Sequence, residues 1–338
     1  MMTSREIVQR TLEFTGPERV ARSFSGADFV GAGPQVETPA TDWSEVGGGR
    51  WERTDEWGNR WGRVDPTSKG EVIQGALPDL AKLDHFAFPD FSKPESYDPV
   101  RNVRAEHPDM YLLGGLHGFA FNIARKLRKL EQYFVDLLIE PERIHELHDR
   151  IDALNEDMLR NYAAAGVDGV MVVEDWGTQA ELLIDPALWR AEFGPRIARF
   201  CSLAHELGVT VWLHSCGQIE SVMPDMIDAG IDLFQFDQPE LHGIDRLASH
   251  QDRAKVTFWC PVDIQKTLQT KDETRIRAQA RELLDKLWQG RGGFMAGFYG
   301  DNASIGLDPK WQDYACDEFI RHGVRERYVT QAQIDEMG

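Results

Sequence analysis

The chain has 338 residues, 42% of them apolar, and a formal net charge of −19. That length suits one large barrel or two modest domains, and the composition is that of an ordinary globular protein. So acidic a chain is a poor candidate for binding nucleic acid through a basic face, and no apolar run is long enough to span a membrane. The N-terminus, MMTSREIVQRTLEFTG, lacks the basic start and apolar stretch of a secretory signal, so a cytoplasmic location is expected. The four cysteines, Cys201, Cys216, Cys260 and Cys316, form no C-x-x-C pair and are expected as thiols.

An opening helix comes first. Ser4 can cap it, Ile7, Val8, Leu12 and Phe14 are its apolar positions, and Pro17 ends it. The stretch 30–70 is rich in Gly, Pro, Thr and Trp and reads as loop plus a short hairpin over Trp51–Val64, turning near Gly58-Asn59. Trp51, Trp57 and Trp61 cluster there. Such residues can line a pocket or dock a partner, and more often pack a small sheet against a larger body. Residues 84–108 carry Pro89, Pro94, Pro99 and Pro108 and read as an irregular connection.

From Tyr111 a rhythm sets in. Short apolar runs at Tyr111–Gly115, Gly169–Val173, Val209–Leu213, Ile231–Phe236, Lys255–Trp259 and Gly293–Phe298 alternate with helical patterns, the last over 309–321. Such alternation means a parallel sheet with right-handed crossovers. Six strands emerge, and two more are expected near Arg22–Val30 and Arg60–Ile73. Eight strands close a (β/α)8 TIM barrel, while six also suit an open doubly wound sheet. No G-x-G-x-x-G follows a strand, which weighs against the dinucleotide-binding version of the latter.

In both architectures ligands bind at the carboxyl ends of the strands. The residues there are His117, Glu174, Asp175, Trp176, His214, Cys216, Asp237, Gln238, Cys260, Asp263, Tyr299 and Asp301. Imidazole and thiolate both suit Zn²⁺, and His214 and Cys216 can reach one point if the chain turns at Gly217. A catalytic zinc takes three protein ligands, and Cys260 is the expected third. The bland alternative makes His214 part of a polar network and Cys216 an inert buried thiol. Glu174, Asp175 and Asp237 are candidates for acid–base work or substrate orientation, or equally for capping and ion pairing at the rim. Asp263 can bind ligand or cap a helix beginning near Ile264. His145, His148, His205 and His242 read as surface or capping residues.

Taken together, these segments resemble the uroporphyrinogen decarboxylase superfamily, which includes the corrinoid-dependent methyltransferases. SREIVQRTLEFTGPERVAR resembles its opening helix, and DEWGNRWGRV followed by KGEVIQGALPDLAKLDHFAFPDF the leader of its methyltransferase-like branch. LLGGLHGFAFNIARKL, GVDGVMVVEDWGTQAELLIDPALWRAEFGPRIARF and VTFWCPVDIQKTL resemble later strand segments, and VTVWLHSCGQIESVMPDMIDAGIDLFQFDQPE is the most specific stretch. The resemblance implies a (β/α)8 barrel with an N-terminal helical and hairpin extension, as one domain over 1–338. Residues 1–108 would supply the extension and first two strands, and 109–325 the clear repeats.

True decarboxylases of this superfamily carry an arginine-rich R-Q-A-G-R-Y segment after the first strand. Here the region reads RSFSGADFVGAG, and Arg22 alone cannot supply the same carboxylate contacts. The thiol-methylating branch carries H-x-C plus a distant cysteine as zinc ligands. His214 and Cys216 match the first two, but GGFMAGFYGDNASIG near the last strand holds no cysteine, leaving Cys260 as the candidate. The implied activity is a zinc-dependent methyl transfer or O-demethylation, with Zn²⁺ on His214, Cys216 and Cys260 and cobalamin carried by a corrinoid protein partner. Glu174, Asp175 and Asp237 would be catalytic. His117, Trp176, Gln238, Asp263, Tyr299 and Asp301 would contact a small-molecule methyl donor or acceptor. A homodimer is compatible with this reading. The rivals are a metal-free decarboxylase or lyase acting on a small carboxylated substrate, and a barrel that only binds a ligand or partner.

Overall fold

The computed structural model describes residues 1–329. Helix α1 (Ser4–Glu13) opens the chain, capped by Thr3 rather than Ser4: the Thr3 hydroxyl accepts from the Glu6 amide while the Glu6 carboxylate accepts from the Thr3 amide. Strands β1 (Ala21–Arg22) and β2 (Phe29–Ala32) follow. Then come β3 (Ser44–Gly47), β4 (Arg50–Thr54), β5 (Arg60–Arg63) and β6 (Glu71–Gln74), which pair in sequence as an antiparallel sheet. The hairpin expected over 51–64 is therefore present as β4 and β5. The barrel strand expected at Arg60–Ile73 is not. Those residues belong to the antiparallel sheet, and both early barrel strands fall within residues 21–32.

The remaining strands are β7 (Tyr111–Leu116), β8 (Gly169–Val173), β9 (Thr210–His214), β10 (Leu233–Gln235), β11 (Thr257–Cys260) and β12 (Phe294–Ala296). Eight strands form one parallel sheet in the order β1-β12-β11-β10-β9-β8-β7-β2. It curls so that its two edge strands, consecutive in the chain, meet. The Asp28 amide donates to the Arg22 carbonyl at 3.0 Å, and the Asp28 carboxylate accepts from the Arg22 amide at 2.9 Å. The fold is an α/β TIM-type barrel with an added four-stranded sheet. It departs from the regular repeat in having no helix between β1 and β2.

Strand alternation divides the core in two. Inward positions form a small cluster of Ala21, Tyr111, Leu113, Trp212, Leu233 and Met295, which Phe29, Met171 and Trp259 join. Ile7 and Val8 of α1 close it from below. The plug is tied down because Arg5 pairs with Asp168 at the foot of β8 (2.5 Å), as does Arg104, and the Asp168 carboxylate also accepts from the Leu112 amide. Outward positions pack against the surrounding helices in a much larger cluster. Each fully buried side chain of this size contributes about 1.5–3 kcal/mol relative to exposure. With the bottom plugged, the carboxyl ends of the strands are left as the open face. No helix among the described residues is long and apolar enough to cross a membrane.

The four-stranded sheet sits at that open face. Trp57, buried in the β4–β5 connection, packs edge-on to Phe88 and His117 and against Phe91. Asp55 holds the connection by accepting from the Trp57 and Asn59 amides, the Asn59 side chain and the Trp61 indole.

Candidate metal centre at the barrel rim

The loops after β8 and β9 are zipped together. Gly177 donates to the Cys216 carbonyl, Gln218 to the Thr178 carbonyl at 2.7 Å, and Trp176 to the Ser215 hydroxyl. Gly217 is required for this approach. Its φ is +78°, and a Cβ there would stand 2.1 Å from the Gly177 carbonyl oxygen. The turn at Gly217 brings Cys216 back over the strand end, beside His214.

Three donors converge as a result. His214 Nε2 lies 3.3 Å from Cys216 Sγ and 3.7 Å from Asp175 Oδ1, which also accepts from the Cys216 amide at 2.9 Å. The donor atoms of Asp175, His214 and Cys216 all lie within 4.8 Å of one another. Metal–donor bonds of ~2.0–2.3 Å at tetrahedral angles put donors about 3.3–3.8 Å apart, so the two shortest separations already match a tetrahedron's edge. Nitrogen, sulfur and carboxylate oxygen form a set that zinc accepts.

The imidazole is oriented from behind. Gln235 pairs with His214 in the β9–β10 register, and its Oε1 meets His214 Nδ1. The Gln235 amide nitrogen donates to Asp237 Oδ1 at 2.9 Å. A carboxylate can only accept, so the amide nitrogen must face Asp237 and the amide oxygen must face the ring. His214 therefore donates from Nδ1 and turns Nε2 toward the cluster, the orientation a metal ligand needs.

Cys216 is pushed up to about 12, by burial first and then by the Asp175 and Asp237 charges, with Lys69 opposing. Lys69 comes from the β5–β6 connection. Its ammonium lies 5.9 Å from the Tyr299 ring, and its own pKa is lowered by burial yet raised overall by Tyr299, Cys216 and Asp237. The added sheet thus delivers a cation to the rim.

The other expected site residues divide. Asp237 stands behind Gln235, and Gln238 lines the same small recess as Cys216 and Asp237. Asp301 and Asp175 both line a cleft of about 820 Å³ between the barrel and the four-stranded sheet. Tyr299 is joined to this region through Lys69. His117 pairs with Glu56, whose carboxyl burial raises but the His117 bond and charge hold below its ordinary value. His117 belongs to a separate small pocket with Arg53 and Lys126.

The structure sets Trp176 and Cys260 apart from the donor cluster and gives Glu174 and Asp263 the capping alternative. Trp176 is fully buried, stacked 4.2 Å from Phe121 and packed on Trp189 and Phe193, so it packs in the core rather than facing the open rim. Glu174 is fully buried and caps the helix Ala120–Arg128, accepting from the Phe119 amide at 2.6 Å and the Asn122 amide at 3.1 Å. Burial pushes it up to about 8 against the pull of those amides. Asp263 caps its own loop by accepting from the Gln265, Lys266 and Glu240 amides. Cys260 is fully buried and outside the donor cluster, and its thiol is raised by that burial. Asp175, expected as an acid–base or orienting group, instead joins His214 and Cys216 in the donor cluster. His148 and His242 are buried rather than on the surface.

Beside the cluster, the barrel mouth holds an apolar well of about 450 Å³ walled by Phe29, Leu113, Met171 and Trp259. Gly31 and Gly115 keep it open, since a Cβ at either would meet nothing within 4 Å.

Fold and site together define a TIM-type barrel with a candidate metal centre on the catalytic face of its sheet. The chain belongs to the uroporphyrinogen decarboxylase (URO-D) family, whose model matches residues 65–298. Among solved structures it is similar to a methyltransferase from Methanosarcina mazei, at 15% identity and a TM-score of 0.56, over 94% of this chain and 84% of that one. A B12-independent methionine synthase from Shewanella sp. W3-18-1 aligns over 94% of this chain and 87% of its own at 10% identity, with a TM-score of 0.48. No curated protein matches the chain.

Proposed function

We propose that the protein is a zinc-dependent methyltransferase of its family, holding the metal on Asp175, His214 and Cys216 and exchanging a methyl group with a corrinoid on a partner protein. The observation that carries this reading is the N, S, O donor cluster, two of whose three separations match a tetrahedron's edge, with Gln235 orienting the His214 ring. Support also comes from the absent R-Q-A-G-R-Y arginines, which removes the carboxylate contacts of a porphyrinogen decarboxylase, and from the methyltransferase among the similar folds.

Zinc bound there supplies Lewis acidity, which lowers the pKa of a thiol acceptor or polarises a methoxyl oxygen. The chain's own residues do the rest. Asp237 holds Gln235, Gln235 holds the His214 ring, and Asp175 braces the Cys216 backbone. The apolar well gives the methyl-bearing group a dry surface at the strand ends. Lys69 places positive charge beside Cys216 and Asp237, where negative charge gathers. In the thiol direction, Asp175, His214 and Cys216 would hold the zinc that takes the acceptor sulfur, the corrinoid would supply the methyl group, and the thiol proton would leave to solvent.

The test is metal content after purification without chelator, for wild type and for Asp175→Asn, Cys216→Ala and Cys260→Ala. About one zinc per chain is expected in wild type and C260A, with loss in D175N and C216A. Demethylation of methylcobalamin with a panel of thiols then reads the reaction. A metal-free wild type, or turnover indifferent to chelation, would overturn this reading and favour a metal-free lyase.

A further inference from the structure

The four-stranded sheet carries a feature that the metal centre does not use. Trp51 and Arg53 on β4 stand opposite Arg63 and Trp61 on β5, so all four share one face. Arg53 lies 5.2 Å from the rings of both Trp43 and Trp61, and Arg63 lies 4.3 Å from Trp43 and 5.6 Å from Trp51. Lys126, from the helix Ala120–Arg128, continues the column at 5.6 Å from Trp61. Cations and indoles alternate from Lys126 to Trp51.

These cations lack the carboxylate partners that the chain gives many of its basic residues. Arg196 pairs with Asp149, Asp152 and Glu192, and Arg277 with Glu273, Asp317 and Glu318. Among the described residues, no carboxylate lies within 4.0 Å of Arg53, Arg63 or Lys126, although Glu71, Glu131, Asp175 and Asp301 line the same cleft. The Nε atoms of Arg53 and Arg63 are buried without a hydrogen-bond partner. In a chain of net charge −19, three half-buried cations left unpaired around one cavity call for an outside anion. The cavity, about 820 Å³, runs from this column to Asp175 of the donor cluster.

We propose that this cleft binds the oxyanion end of an organic anion, the methyl donor or acceptor whose reacting end lies at Asp175, His214 and Cys216. Its assignment as substrate rests on the methyltransferase reading, whereas anion binding in the cleft does not. Arg53, Arg63 and Lys126 grip a carboxylate, sulfonate or phosphate, the indole faces keep their charged planes aligned, and the molecule extends along the cleft to the rim.

The experiment uses the full chain, stripped of metal with EDTA and dialysed. Benzoate, benzenesulfonate and phenyl phosphate are titrated by calorimetry and by tryptophan fluorescence, since Trp43 and Trp61 line the cleft. Benzamide and benzylamine are the neutral and cationic controls. At least one anion should bind about tenfold more tightly than benzamide, with the preferred head group identifying the oxyanion. Arg53→Gln and Lys126→Met should each weaken it at least about tenfold, as loss of one charged hydrogen bond does. Arg190→Gln, at a surface pair with Asp225, should not. Added salt should weaken binding. Two variants guard against a local packing effect, and both must keep the wild-type melting temperature. Equal binding of benzamide, no binding of any anion, or unchanged affinity in well-folded R53Q and K126M would each overturn the proposal. Because the protein is metal-free, failure of the zinc reading leaves this result standing, and its failure leaves zinc binding intact.

Discussion

The two walls of the cleft are built in opposite ways. On the barrel wall every polar group at the centre has a partner: Asp237 holds Gln235, Gln235 holds His214, and Asp175 holds the Cys216 amide. On the sheet wall the charged groups are packed on tryptophan faces but lack counter-ions. The first wall is organised around a point, the second along a line. A fixed set of donors on rigid strand ends suits a small, strongly bound centre. A row of aligned cations over an added sheet suits the far end of a ligand, where charge matters more than exact position.

If the barrel wall is a metal centre, its effects should rank by distance from the donor point. His214→Ala and Cys216→Ser remove donors and should lower zinc affinity by more than about a hundredfold, read by competition with a chromophoric chelator. Gln235→Leu leaves the donors in place but frees the imidazole to turn and to change tautomer. The expected loss is about 10–100-fold, typical of a group that orients a ligand, with the melting temperature nearly unchanged. A Gln235→Leu protein with wild-type affinity would dissolve the distinction drawn between the walls, because the partnered network would then be packing alone.

Glu174 and Asp175 make the same comparison within one loop. Asp175 turns to the donor cluster, while Glu174 turns under the helix Ala120–Arg128 and is fully buried. With a folded value of about 8 against an ordinary 4.5, native Glu174 holds a proton that the unfolded chain releases. Its contribution is fully present below about 4.5 and is lost as pH rises through about 8, so native stability falls across that window. Glu174→Gln should flatten that slope in denaturant titrations between pH 5 and 8. It should also cost about 1–3 kcal/mol at pH 5, since the amide cannot accept both helix amides. A slope that survives the substitution would assign the titration elsewhere.

Much of the barrel was legible because its later strands are short apolar runs stopped by polar residues, as at Glu174 and His214. The early strands were not. β1 has two residues, β2 follows without a helix, and neither offers a period to detect. The β5–β6 segment has the alternation of any half-buried strand, which says nothing of whether its partner lies parallel or antiparallel. At the rim, His214 and Cys216 were readable from their spacing. The choice between Glu174 and Asp175 was not, because it depends on how the chain leaves β8. Gln235 went unmarked although a polar residue two positions after Leu233 falls on the same inward face. The repeated Trp-x-Arg of residues 51–53 and 61–63 was visible as tryptophans, but only cross-strand pairing turns it into a charged column.

The smallest expected effect is the most direct check on which sulfur belongs to the centre. Cys216 became a candidate by its spacing from His214, and Cys260 by its place at a strand end two strands further along. Cys216 lies on a loop that Gly217 folds back over β9. Cys260 is the last residue of β11, fully buried, with its carbonyl accepting from the Gly297 amide at 2.9 Å. Pointing its sulfur at His214 would require unpairing β11 from β12, which costs several hydrogen bonds against a single metal–sulfur contact. Cys260→Ala should therefore leave zinc stoichiometry and affinity at wild-type values. It should cost about 1 kcal/mol of stability from the small cavity it creates, read as a modest drop in melting temperature. Loss of zinc in C260A with the fold intact would return that sulfur to the ligand set and displace Asp175 from it.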